Sequence, residues 1–357
     1  MATKEQVVSA LSKVNDPELH KDLVTLGMVK DVHADGASVR LGIELTTPAC
    51  PLKDKIRGDV EAALKAIGVD RVDITWGAQV RSGRAALNAG DFLPQVKNVL
   101  LVGSGKGGVG KSTVAANLAC ALQRLGAKTG LLDADIYGPS VPTMFGTHEK
   151  PKMAENGKQL EPVKAFGLEL MSIGFLVDPN EAIVWRGPML ASAVQQFMKD
   201  VAWSALDYLI VDLPPGTGDV QLTLSQTLKV SGALVVTTPQ TVALADVVRA
   251  KAMFDKVNIP VIGLVENMSS FVCGKCDTRH YIFDRGGGER AAAGMNVPFL
   301  GELPLVTDVR EAGDAGIPIV ERAPESPGGK AFLSLAGRVA DRLSVLAARQ
   351  TSLKIVA

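Results

Sequence analysis

Residues 103–113, GSGKGGVGKST, combine glycine backbone, two lysines and hydroxyl side chains, the groups from which a polyphosphate site is built. Two cofactor templates fit the stretch. Gly103, Gly105 and Gly108 spell the dinucleotide pattern G-x-G-x-x-G, while Gly105, Gly110, Lys111 and Ser112 complete the longer phosphate-loop pattern G-x-x-x-x-G-K-[ST]. The longer pattern decides, because a dinucleotide site requires neither the lysine nor the hydroxyl. In such a loop the backbone N–H groups of Gly105, Lys106, Gly107, Gly108, Val109, Gly110, Lys111, Ser112 and Thr113 cradle phosphates. The helix N-terminus adds a favourable dipole, Lys111 neutralises charge and Ser112 reaches a magnesium ion. The ligand implied is ATP or GTP with Mg2+.

A hydrolytic site also needs carboxylates to organise magnesium and water. LLDADIYGPS offers Asp133 and Asp135 at one strand end. YLIVDLPPGTGD offers Asp212 after four apolar residues, the position of a second-strand magnesium aspartate. A second chemistry-bearing group is Cys273-x-x-Cys276, which suits a metal or a redox pair. Four thiolates would be needed for full sulfur coordination of zinc or of an iron-sulfur cluster, and this pair supplies two. A twofold dimer would complete the set across its interface. His280 is a possible local ligand, though a lone histidine is more often a surface or packing residue. Cys50, in TTPACPL near an expected helix start, is placed where a thiolate would be favoured, and Cys120 reads as packing within an amphipathic helix.

These groups must be positioned by regular elements. From Asn98 onward, apolar runs (NVLLVGSG, KTGLLDAD, DYLIVDLPPG, ALVVTTPQ, PVIGLVENM, VPFLGELPL) alternate with helical segments, the signature of a mostly parallel sheet covered by helices on both faces. The phosphate loop lies between such a strand and the helical run STVAANLACAL, the context its chemistry requires. Residues 1–80 read as a small α+β domain with a hairpin centred on Asp35-Gly36. Residues 81–97 read as a linker, and 98–357 as the nucleotide-binding domain. Near the end, Phe332, Leu335, Val339, Leu343 and Leu346 share one face of a helix expected to dock on the domain.

KGGVGKST resembles the deviant phosphate loop of the MinD/ParA-like ATPases. That resemblance implies that Lys106 reaches across a nucleotide-sandwich dimer to the partner's phosphates. It also implies that Asp135 orients the attacking water, that Asp212 holds magnesium through water and that Asn267 of VENM hydrogen-bonds the adenine. Taken with DADIYGPS, WRGPM, LDYLIVDLPPGTGD, VTTPQTVALADV, ENMS and the Cys-x-x-Cys, the chain is similar to the Mrp/ApbC-type iron-sulfur cluster carrier ATPases. Its first domain, with DPEL, DLVTLGMV and TTPACPLKD, resembles the assembly domain often fused in front of them. The resemblance implies a homodimeric ATP hydrolase that bridges a [4Fe-4S] cluster between subunits through Cys273 and Cys276. The cluster would pass to apo iron-sulfur proteins, within the cluster-assembly machinery. Relatives commonly read IFGxGGG after the cysteines where this chain reads IFDRGGG, with Asp284 in the first glycine's place.

Two other readings use the same phosphate loop: a positioning or partition ATPase acting on membrane or DNA, and a zinc-stabilised assembly scaffold. Lys+Arg and Asp+Glu balance at 38 each, so no charge excess argues for nucleic acid or an anionic membrane as the main partner. The charged first residues lack the apolar centre of a signal peptide and no apolar run reaches spanning length, so a cytoplasmic protein is expected.

Overall fold

The computed structural model describes residues 2–35, 37–84, 92–177, 187–216, 218, 222, 229–273, 275–276 and 278–355. Outside it lie the middle of the expected linker (85–91), Trp185 and Arg186 of WRGPM, Asp219, and Gly274 of the cysteine motif. The chain divides into two compact units, residues 1–81 with 340–357, and residues 82–339.

In the first unit, β1 (Val29–Asp35) and β2 (Ser38–Leu45) pair antiparallel, and β3 (Arg71–Ala78) adds parallel to β2. Helices α1 (Lys4–Leu11) and α2 (Lys53–Lys65) supply Val7, Leu11, Ile56, Val60 and Leu64 to its core. A capping box starts α1, with Thr3 and Gln6 exchanging side-chain-to-backbone bonds. The hairpin forms where expected, but Asp35 pairs with Ser38, so the turn falls one residue later than Asp35-Gly36.

The second unit is built on a sheet that shows eight strands among the described residues: β4 (Asn98–Ser104), β5 (Thr129–Asp133), β6 (Val163–Ala165), β7 (Leu168–Ser172), β8 (Tyr208–Asp212), β9 (Gly232–Thr237), β10 (Val261–Glu266) and β13 (Phe299–Glu302). Their order is β13-β10-β9-β4-β8-β5-β7-β6. Every pairing is parallel except β6–β7. β4, β5, β8 and β9 are buried at every position, as strands covered on both faces must be. A separate two-stranded hairpin, β11 (Phe271–Val272) with β12 (Arg279–His280), carries the cysteines.

Helices α3 (Lys111–Arg124), α4 (Val141–Met144), α5 (Gly187–Asp200), α6 (Thr241–Lys256), α7 (Gly287–Gly294), α8 (Thr307–Asp314) and α9 (Ile319–Arg322) belong to this unit, and α10 (Pro327–Ile355) closes the chain. On α10, Phe332, Leu335, Val339 and Leu343 are buried as the spacing predicts, while Leu346 is half-buried. The flanks of the expected linker are not free chain. Leu93 and Val96 are buried in the second unit's core, and the Arg84 guanidinium donates to the carbonyls of Leu93, Val96 and Lys229. A buried arginine satisfied by three backbone carbonyls fixes the segment that composition alone reads as irregular.

Candidate functional site

The strand order brings the carboxyl ends of β4, β5, β8 and β10 to one edge of the sheet. Ligands of open α/β sheets collect at that edge. The phosphate loop leaves β4 at Ser104, whose hydroxyl donates to the Lys106 carbonyl at 2.9 Å and shapes the first turn. Gly108 and Gly110 hold φ of 80° and 78°, which L side chains adopt only with strain. Gly105 is required for another reason, since a Cβ there would run into the backbone of Asp246 on α6.

Lys111, the first residue of α3, is 6% exposed, and its Nζ donates to Asp212 Oδ1 at 2.5 Å and to Ser112 Oγ at 3.3 Å. Asp212 is fully buried at the end of β8, and its Oδ2 has no hydrogen-bond partner among the described residues. Strand register sets Asp133 directly beside it. Asp133 accepts from the N–H groups of Asp135, Ser140 and Val141 and from the Ser172 hydroxyl, so it ties the loop between β5 and α4 to the sheet. Burial, and then the charge of Asp212, push the Asp133 carboxyl up to about 7 against those donors. Asp135 is half-buried, its pKa raised by burial while the nearby Lys111 charge pulls it back. Lys111, Asp212 and Asp135 therefore form one electrostatic group.

Asn267 follows β10 directly and is buried, its Nδ2 donating to the Val109 carbonyl at 2.9 Å. A Cβ on Gly110 would collide with that amide. Beyond this contact opens a cleft of about 580 Å³, a size suited to a small organic ligand, lined by Gly110, Thr113, Asn267, Met268, Leu305 and Arg310 among others. After Met268 (φ 56°), Ser269 donates to the Leu303 carbonyl and Leu305 to that of Ser270, which carries the chain into the cysteine hairpin.

Cys273 is half-buried and Cys276 exposed. The Cys276 Sγ lies 3.2 Å from the Thr278 hydroxyl, and the Cys273 N–H donates to the Thr278 carbonyl at 3.0 Å. The Thr278 hydroxyl, its backbone and then Cys273 hold the Cys276 thiol below the ordinary thiol range, which favours the metal-binding thiolate. His280 faces Phe271 across the hairpin. Among the described residues no three His, Cys, Asp or Glu side chains are placed to hold a metal ion.

Comparison with known proteins gives this geometry its context. Residues 95–340 match the family model described as NUBPL iron-transfer P-loop NTPase, and residues 4–75 match that of an iron-sulfur cluster assembly protein. An iron-sulfur cluster carrier protein of Deinococcus radiodurans is 51% identical over 342 residues, covering 96% of either chain. The chain belongs to the iron-sulfur cluster carrier family. Its second unit is a P-loop NTPase of the ParA/MinD type. Among solved structures, a nucleotide-binding protein of Archaeoglobus fulgidus in complex with ADP is 40% identical with a TM-score of 0.56, covering 63% of this chain and 88% of that one. The cell division ATPase MinD of Pyrococcus furiosus is 25% identical with a TM-score of 0.51, covering 68% and 98%.

In this family member the residues singled out from sequence gather in two places. Lys111, Ser112, Asp135, Asp212 and the loop glycines form one, and Cys273 with Cys276 the other. Lys106 is half-exposed on the loop. The open acceptor Asp212 Oδ2, with Ser112 Oγ joined to it through Lys111, is the hard-oxygen set that suits a water-held magnesium ion. Cys50 stands two residues before the α2 N-cap Leu52, near the helix start as expected, but burial pushes its thiol up, so the site does not favour the thiolate. Cys120 is buried in α3, its thiol raised well above the ordinary value by desolvation.

Sequence reasoning missed Ser104, Ser172 and Asn117. The buried Asn117 side chain donates to the Thr113 carbonyl and accepts from the Val320 N–H, joining α3 to α9. It also missed the far wall of the cleft, residues 304–318, because that wall is assembled by folding and carries no local motif. Among the described residues no helix is long and apolar enough to cross a membrane.

Proposed function

We propose that this carrier binds and hydrolyses ATP at residues 105–113 and that two copies bridge a [4Fe-4S] cluster, which they pass to apo iron-sulfur proteins. The observation that carries the reading is the exposed two-thiol hairpin without a third ligand among the described residues. Four residues separate its first strand from Glu266 at the end of β10, beside the phosphate loop. Half a ligand set on an exposed hairpin calls for a second copy to complete it.

In this reading Lys111 holds the transferred phosphate and Lys106 reaches the phosphates bound to the partner copy. Asp135 orients the attacking water and Asn267 meets the base within the cleft. Ser112 and Asp212 would hold magnesium, which when bound neutralises phosphate charge. On ATP binding, Lys111 exchanges part of its bond to Asp212 for the phosphates, and the two copies close. Hydrolysis reopens them, so the separation of the paired cysteines follows the nucleotide. The cluster donors and recipients belong to the assembly machinery of the cytoplasm, where thiols stay reduced.

The test is anaerobic reconstitution with iron and sulfide, with iron counted per dimer. About four irons are expected for the wild type, and loss of the cluster for Cys273→Ala with Cys276→Ala. A full cluster in the double variant would overturn the assignment. Zinc in place of iron after anaerobic purification would favour the scaffold reading.

A further inference from the structure

Glu266 ends the apolar strand β10 fully buried, an unusual place for a carboxylate. Its Oε2 accepts the Gly288 N–H at 2.5 Å, in the first turn of α7, while Oε1 has no hydrogen-bond partner among the described residues. Burial raises its pKa, with the Gly288 N–H opposing. The glycines that open α7, Gly287 and Gly288, permit this approach. A Cβ on Gly288 would stand 2.9 Å from Glu266 Cβ, and one on Gly287 2.7 Å from the Pro239 carbonyl.

Both neighbours of this contact lead to functional groups. On one side, the next residue is Asn267, bonded to the Val109 carbonyl of the phosphate loop. On the other, Arg290 of α7 donates to the Arg285 carbonyl at 2.9 Å and pairs with Asp284 at 3.6 Å, holding the segment that returns from the cysteine hairpin. That segment begins at β12, preceded by Thr278, which touches Cys276 Sγ and bonds the Cys273 N–H. The path from phosphate loop to thiols is thus contiguous. The unpaired Oε1 gives the carboxylate a second acceptor, so α7 can shift against Glu266 by exchanging one N–H for another of its first turn.

We propose that Glu266 is a positioning residue that transmits the nucleotide state of the phosphate loop to the Cys273/Cys276 hairpin through α7. The inference rests on the nucleotide-site reading given above. It assigns the buried carboxylate to neither catalysis nor cluster binding but to the coupling between them.

The experiment uses the full-length, cluster-free protein. Iodoacetamide alkylation of Cys273 and Cys276 is timed by peptide mass spectrometry with and without a non-hydrolysable ATP analogue, and analogue binding is measured by equilibrium dialysis. In the wild type the analogue is expected to change the Cys276 rate by about fivefold or more. Glu266→Met, which removes the acceptor at similar volume, should bind the analogue yet reduce that response to less than about twofold. Glu266→Gln, whose amide oxygen still accepts from Gly288, should restore it. Arg290→Ala breaks the path at an exposed residue, leaves the buried core intact and should also lose the response. A wild-type response in Glu266→Met or Arg290→Ala overturns the inference, as does a wild type that binds the analogue with no change in thiol reactivity. A wild type that binds no analogue instead refutes the nucleotide-site reading, and the inference falls with it.

Discussion

Replacing Lys111 should damage the fold before it damages the chemistry. Its Nζ sits 2.5 Å from Asp212 Oδ1, with side chains 6% and 0% exposed. At that separation and an effective dielectric of about 20, the attraction is about 7 kcal/mol before desolvation is charged against it. Lys111→Met keeps the aliphatic stem but strands the Asp212 carboxylate beside Asp133, its register neighbour. Breaking a buried pair from one side costs about 3–5 kcal/mol, and that is the loss expected for the second unit without nucleotide. Because the chain forms two compact units, a whole-protein melt would mix their transitions. Hydrogen exchange of α3 peptides against urea reads the relevant unit directly. Adding Asp212→Asn removes the stranded charge and should recover about 2 kcal/mol relative to Lys111→Met alone. A loss below about 1 kcal/mol, the scale of an exposed ion pair, would refute the reasoning. So would a double variant that is additive within about 0.5 kcal/mol.

Three further outcomes are expected. Gly110→Ala forces a Cβ into the Asn267 amide at a φ of 78°, and should weaken ATP binding about tenfold by calorimetry while costing the unit about 1–3 kcal/mol. An affinity within twofold of wild type would contradict it. Asp284 holds φ at 93°, so Asp284→Gly should raise the second unit's stability by about 1 kcal/mol, read by hydrogen exchange of α7 peptides against urea, despite losing the exposed pair with Arg290. A lower stability of that unit would show that the ion pair outweighs the strain. Asp133, raised from 3.8 to about 7, keeps its proton longer when folded than when unfolded. Its contribution is therefore fully present below about pH 4 and is lost as pH rises through about 7, and Asp133→Asn should flatten the fall in stability over that window. An unchanged slope would exclude Asp133 as its source.

Asp284 also shows how sequence and structure divide the work. Its departure from the relatives' glycine is visible in the chain, but its consequence needs the backbone angle, which only the folded turn fixes. The glycines of the phosphate loop were legible for a local reason: their positive φ values and the start of α3 arise within eleven consecutive residues. The apolar runs likewise announced six strands of the sheet, because a strand buried on both faces has no polar positions to spare. β6 and β7 escaped notice, because β6 is only three residues long and Glu169 interrupts the apolar run of β7.

What the sequence determined by itself was therefore chemistry and element type, set by contacts between near neighbours. It named the phosphate loop, Asp135, Asp212 and the cysteine pair, and the parallel sheet beneath them, while Asn267 was marked only by the family resemblance. The tertiary structure decided which of these groups meet. Strand order and register place Asp133 beside Asp212, and α3 brings Lys111 onto the same carboxylate from 101 residues away. The contact between Glu266 and Gly288 spans 22 residues and depends on how closely α7 can approach β10. Burial is settled only then as well. It drives Asp133 and Glu266 upward, and no property of either residue's neighbours in sequence contains it, because desolvation is the work of every element packed around the group.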